Sequence, residues 1–271
     1  MDRNEIPAEI RELIGAEAGQ TDTVGMSAAS VISYETMVLK VSDADEEAEN
    51  EAYMLQWLQG KVPVPKLLAV KKQYGKQYLL MERVQGEMSC AETYMMQPEK
   101  LTRLLAEGIK MLWQAGGQYA ASPEKKPQLH RSRLSERLRH AEYLVREGLC
   151  ETDVEPDTYG PDGFQDPADL LAWLKENQPE EDLVLSHGDY CLPNVFIKDD
   201  QIAGFIDLGK AGMADRYQDI ALCYRSLKHN AEGAYGGKVY EGFQPEKLFE
   251  ELGIEPDWEK VRYYLLLDEL F

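Results

Sequence analysis

Two periodicities divide the chain. Residues 1–15, MDRNEIPAEIRELIG, space their apolar side chains along one face of an acidic helix. Runs of β-prone residues follow at 30–34, 37–41 and 77–81, with a helical pattern at 44–59 between them. Beyond residue 100 helical spacing dominates, over 101–114, 132–147, 167–177, 215–228 and 257–270. One hairpin interrupts it. Val195, Phe196 and Ile197 form an apolar run, Asp199-Asp200 supplies a turn, and 202–206 form the returning run. This pattern predicts an α+β protein of two lobes: a small β-rich lobe at 1–83, a hinge at about 82–86, and a larger helical lobe at 84–271. There is no internal repeat and no low-complexity tract.

In the small lobe the same patterns pair two charges. Alternation in MVLKV puts Met37 and Leu39 on one face of a strand and Val38 and Lys40 on the other. In the following helix Glu47, Glu51, Leu55 and Leu58 share a stripe, whereas Glu49 aligns with Tyr53 and Gln56. A carboxylate on an apolar stripe needs a partner, because an unpaired buried charge is costly. Glu51, rather than Glu49, is therefore the expected partner of Lys40.

Composition narrows the partners. A chain of 271 residues can bury a substantial core. A formal charge of −20 argues against non-specific binding of nucleic acid and is compatible with a polycationic small molecule held in an acidic cleft. The N-terminal stretch lacks the apolar run of a signal peptide, and no apolar run reaches the roughly 18 residues of a membrane span. Cys90, Cys150, Cys191 and Cys223 have neither metal-ligand spacing nor the density of a disulfide framework, so a cytoplasmic setting is expected. Cys191 reads as a small packing residue. Oligomeric state, monomer or dimer, is not legible.

The chemistry is concentrated in residues 184–209, VLSHGDYCLPNVFIKDDQIAGFIDLG. Asn194 follows Asp189 by five positions, and the hairpin brings Asp207, in an Asp-Leu-Gly turn, back to the end where Asn194 lies. An Asp, an Asn and a second Asp in this order suit phosphoryl transfer. One carboxylate orients the attacking hydroxyl, and an amide and a carboxylate supply oxygen ligands to Mg²⁺. There is no GxxxxGK[ST] sequence, so a Walker-type NTPase is not supported.

The segment resembles the catalytic and metal-binding loops of the aminoglycoside phosphotransferases, relatives of the protein kinases, and most closely the 3'-phosphotransferase (kanamycin kinase) group. TDTVGMS, VPVPK and the final DWEKVRYYLLLDELF extend the resemblance over almost the whole chain. It weakens around 120–165 and 228–245. The resemblance implies a bilobal protein-kinase-like fold and transfer of phosphate from ATP, or alternatively GTP, with Mg²⁺, to a hydroxyl of a cationic amino sugar, conferring resistance. It implies Asp189 as the catalytic residue and Asn194 and Asp207 as the metal ligands. Lys40, fixed by Glu51, is implied to grip the nonreacting phosphates, with Met26 and Ser27 in the phosphate loop. The adenine would meet Val38, where relatives carry an aromatic ring, the Glu82 carbonyl and the Val84 amide. Asp157, Lys210, Arg225, Asp268, Glu269 and the Phe271 carboxylate match the substrate subsite. Asp219 is expected to accept backbone hydrogen bonds from the catalytic loop. His229-Asn230 replaces an acidic pair, Gly160 stands where a glutamate is usual, and 231–242 is a Gly-rich insertion. These departures keep two alternatives open: a kinase of another small hydroxyl compound, and an inactive nucleotide-binding protein. The intact set Lys40, Glu51, Asp189, Asn194 and Asp207 speaks against the latter.

Overall fold

Leu39 and Leu80 face each other on neighbouring antiparallel strands, both fully buried, and each contributes about 2 kcal/mol of burial energy. The sheet around them organises the first part of the chain. The computed structural model describes residues 3–22, 29–120, 132–150, 154–161, 163–234 and 236–271. In chain order its elements are α1 (Ala8–Ile14), β1 (Gln20–Asp22), β2 (Ser30–Ser33), β3 (Met37–Asp43), α2 (Glu46–Leu58), β4 (Leu67–Gln73) and β5 (Lys76–Glu82). Then come β6 (Glu87–Met88), α3 (Glu92–Met95), α4 (Pro98–Ala120), α5 (Leu134–Glu147), α6 (Pro167–Glu176) and β7 (Leu183–Ser186). The chain ends with β8 (Val195–Lys198), β9 (Gln201–Phe205), β10 (Gly212–Asp215), α7 (Tyr217–Glu232), α8 (Lys247–Leu252) and α9 (Trp258–Asp268).

The chain forms two units, residues 1–87 with 195–210, and residues 88–194 with 211–271. The sequence reading divided the chain once, at 83 and 84. Residues 84–87 and the β8–β9 hairpin belong with the first unit, where Val84 packs over Gly204 and the Phe205 amide donates to the Pro63 carbonyl at 3.0 Å.

The first unit holds a five-stranded antiparallel sheet in the order β1-β2-β3-β5-β4. One face gathers Leu39, Val41, Tyr78 and Leu80 with Ile10 and Ile14 of α1. The turns explain the pairing. Tyr74 and Gly75 between β4 and β5, and Asp199 and Asp200 between β8 and β9, all have positive φ, as two-residue hairpins of the strand-matching hand require. Helix α2 starts where the Asp45 carboxylate accepts the Ala48 amide at 2.8 Å, and Glu46, Glu47 and Glu49 favour its positive end. Strand β4 was not anticipated: Leu67 to Val70 do not alternate in polarity, and most of the strand is half-buried.

The second unit is mainly helical. In α4, Leu101, Leu104, Leu105, Ile109 and Leu112 are buried at helical spacing, and the helix extends well beyond the expected 101–114. Helices α7 and α9 pack together, and Ile220 and Leu227 of the one and Tyr264 and Leu267 of the other are buried. Strands β7 and β10 pair antiparallel on either side, in sequence, of the hairpin excursion. No helix among the described residues is long and apolar enough to cross a membrane.

Candidate functional site

Each unit positions its own set of functional side chains. In the first, Lys40 projects from the middle of β3, the strand face expected from alternation. Its Nζ lies 2.9 Å from Glu51 Oε2 and 2.6 Å from Asp207 Oδ1. The Lys40 and Glu51 side chains are only 14% and 5% exposed. Burial by itself would lower the lysine pKa, but the two carboxylates outweigh it, raising the value and holding the ammonium charged. Burial pushes the Glu51 carboxyl above the usual range, and Lys40 pulls it back. Glu49 turns to Lys72 instead.

Asp207 follows β9 with φ 59°, a left-handed conformation that costs a non-glycine residue about 1 kcal/mol and that Asp tolerates better than most. Buried Leu208 anchors the turn behind it. Lys210 is half-buried, and its charge acts on the Glu47 carboxyl. Val38 is half-buried opposite Met81. The Glu82 side chain is exposed while its amide donates to the Lys66 carbonyl at 2.9 Å, and Val84 is half-buried against Gly204. Met26 and Ser27 lie outside the described residues.

In the second unit the loop after β7 brings Asp189 and Asn194 together. The Asn194 amide nitrogen donates to Asp189 Oδ2 at 2.9 Å, to the Asp189 carbonyl at 3.0 Å and to Cys191 Sγ at 3.2 Å. These bonds commit the nitrogen inward and leave the amide oxygen as the atom of Asn194 suited to a cation. The loop is pinned at both ends. Tyr190, fully buried, donates to the Leu105 carbonyl at 2.9 Å, and the Leu192 amide donates to Ser226 Oγ at 3.0 Å. Gly188 takes φ 85°, open to glycine at little cost.

Asp219, buried in the first turn of α7, accepts the Ser186 hydroxyl at 2.7 Å and the His187 and Gly188 amides at 2.7 and 3.0 Å. Burial pushes its carboxyl pKa up, while His187 and these donors pull against the rise. Asp219→Ala would remove the acceptor of the buried Ser186 hydroxyl and His187 amide, while the Gly188 amide keeps Ser186 Oγ at 2.9 Å. The expected cost is on the order of 3 kcal/mol in a denaturant melt, with loss of activity; an unchanged melt would contradict this anchoring role.

A third group closes the C-terminus onto the rest of the second unit. Arg225 pairs with Asp268 and, at 3.1 Å, with Glu269. Glu269 also accepts the Glu155 amide at 2.8 Å and the Thr158 hydroxyl at 3.5 Å. Arg137, unremarked in the sequence, is buried 3.5 Å from Asp268, with its guanidinium 4.7 Å from the Phe271 ring centre. Asp268 and Glu269, expected at the substrate subsite, thus pair with two arginines of the same chain. His229 Nε2 lies 3.1 Å from Glu155 Oε1, and the Asn230 amide donates back to the Ser226 carbonyl at 2.8 Å. Asp157 and Gly160 are exposed. Nothing in local periodicity marked Arg137 or Glu155, because their partners are more than 70 residues away in sequence.

The chain is similar to known proteins over its whole length. The model of the phosphotransferase enzyme family, APH, matches residues 26–264. An aminoglycoside 3'-phosphotransferase of Enterococcus faecalis is 38% identical over a 285-residue alignment covering 100% of both chains, and one of Staphylococcus aureus is 37% identical with the same coverage. Among solved structures, an aminoglycoside phosphotransferase of Streptomyces rimosus in complex with ADP and streptomycin aligns with a TM-score of 0.75 at 26% identity, covering 96% of this chain and 95% of that one. Matched over most of its length by the family model and over all of it by these relatives, the chain belongs to the aminoglycoside phosphotransferase (APH) family.

Proposed function

We propose that the protein transfers the γ-phosphoryl group of ATP to the 3'-hydroxyl of an aminoglycoside antibiotic and so confers resistance. The observation that carries this reading is full-length similarity to aminoglycoside 3'-phosphotransferases, at 38% identity for the Enterococcus faecalis enzyme. The side chains present suit the chemistry. In-line transfer passes through a loose transition state, so rate comes from positioning and charge neutralisation more than from strong base catalysis. Asp189 orients the acceptor hydroxyl and takes its proton late. Lys40, kept charged by its two carboxylates, grips the nonreacting phosphates, and Glu51 fixes its direction.

The donor set also fits Mg²⁺. Asp207 and Asn194 offer the hard oxygen ligands it takes, and Asp207 brings a carboxylate that a cation would balance. When bound, Mg²⁺ neutralises charge on the β- and γ-phosphate oxygens. The adenine is assigned to Val38 and the 82–84 backbone, and the phosphate loop to Met26 and Ser27. The amino-sugar rings are assigned to Asp157, Lys210, Arg225, Asp268, Glu269 and the Phe271 carboxylate.

The test is Mg²⁺-dependent ADP release by the purified protein with kanamycin, neomycin, a 3'-deoxy analogue and a panel of simple alcohols. Turnover with kanamycin and none with the 3'-deoxy compound is the expected result. Nucleotide binding without turnover on any aminoglycoside would overturn the substrate and favour a different small hydroxyl compound. The His229–Glu155 contact, which replaces an acidic group with a histidine, is the specific feature pointing to that second reading.

A further inference from the structure

Asn50 is a buried amide on a helix otherwise rich in carboxylates, and it directly precedes Glu51. Its side-chain nitrogen donates at 2.7 Å to the carbonyl of Gly209, two residues beyond Asp207. From the same helix, Glu47 lays its side chain over Gly209, where an added Cβ would come within 2.5 Å of Glu47 Cγ. Glu51 meets the turn indirectly, through the Lys40 ammonium that also contacts Asp207. Residues 47, 50 and 51 lie on one face of α2, at the i, i+3, i+4 spacing. Segment 207–210 is therefore held along this face by packing, a direct hydrogen bond and an ion-pair bridge, all within the first unit.

We propose that Asn50 is a positioning residue for phosphoryl transfer, and that its bond to Gly209 fixes the Asp207 turn in the conformation that accepts Mg²⁺. The inference rests on the assignment of Asp207 as a metal ligand. Asp207 sits in a left-handed conformation that is intrinsically disfavoured, so an external tie is needed to keep it populated. A ligand that binds only the held conformation sees an affinity reduced by the fraction of molecules in which the turn is held. Asn50 touches neither nucleotide phosphates nor acceptor in this scheme. It acts through the Gly209 carbonyl.

The experiment compares wild type with Asn50→Ala and Asn50→Leu, the second retaining bulk without a donor. ADP affinity is titrated with and without Mg²⁺, and amide hydrogen exchange across residues 204–212 is followed in the ligand-free protein. The Mg²⁺-dependent gain in ADP affinity is expected to shrink about tenfold in both variants, with metal-free ADP affinity unchanged and exchange at 207–210 accelerated. An unaltered Mg²⁺ gain and unaltered exchange would overturn the proposal, as would equal loss of affinity with and without the metal. If Asn50→Ala does not fold, Gly209→Ala perturbs the packing of the same segment on α2 by crowding Glu47, and the same pair of readouts applies. Neither readout involves an acceptor, so failure to phosphorylate aminoglycosides would not touch this result, and a negative result here would leave the substrate assignment standing.

Discussion

Replacing Asp189 with alanine removes turnover and leaves nucleotide binding in place. The expected fall in kcat is about a thousandfold, the range for losing a positioned acid–base group, measured as ADP release under saturating aminoglycoside. The fold around the site should survive. The side chain is half-buried, and the Asn194 amide keeps its second bond, to the Asp189 backbone carbonyl, after the carboxylate is gone. One lost hydrogen bond corresponds to about 1 kcal/mol, within what the other anchors of the loop tolerate. Asp189→Asn separates charge from shape: it should be as inactive as the alanine variant, since an amide cannot take the hydroxyl proton. Near-normal phosphorylation by either variant would sink the assignment.

The second large effect is expected at Asp207. Asp207→Asn should abolish the Mg²⁺-dependent gain in ADP affinity and reduce kcat by at least about two orders of magnitude. Asparagine is the informative replacement because it accepts the left-handed backbone at φ 59°, whereas alanine would add conformational strain to the loss of charge. The change also reaches Lys40. Its pKa is the outcome of burial, which lowers it, against Glu51 and Asp207, which raise it, so removing one carboxylate moves it downward. Any new pH dependence should therefore take the form of activity lost as pH rises, with Lys40 giving up its proton earlier than in the parent. Unchanged Mg²⁺-dependent affinity would refute the role of Asp207 as a ligand.

Much of this was legible in the order of residues, for identifiable reasons. Period-two alternation in β3 gave the face of Lys40, and the apolar stripe of α2 distinguished Glu51 from Glu49; the ion pair at 2.9 Å follows both. The hairpin turn was legible because Asp199-Asp200 tolerates the positive φ both residues adopt. Asn50 was not, because an amide beside glutamates at the start of a helix looks like a solvated surface residue. Its partner, 159 residues away, becomes a neighbour only when the hairpin packs into the first unit. The pairing of Asp268 and Glu269 with Arg137 and Arg225 was not legible, because those arginines come from helices far apart in the chain and no local period relates them. The short pair β7 and β10 was missed because each strand is four residues long and pairs across the intervening hairpin.

The discontinuity of the first unit bears on how the protein is made. Its first 87 residues emerge from the ribosome without the hairpin that carries Asp207, and they must wait until residue 210 has been synthesised. At about 5–20 residues per second that interval is on the order of ten seconds. During it, the Pro63 carbonyl and the Asn50 amide have no hairpin to meet, and the nascent sheet is exposed to chaperones and to neighbouring chains. Production of active protein should therefore respond to temperature and translation speed more than the stability of the finished molecule would suggest.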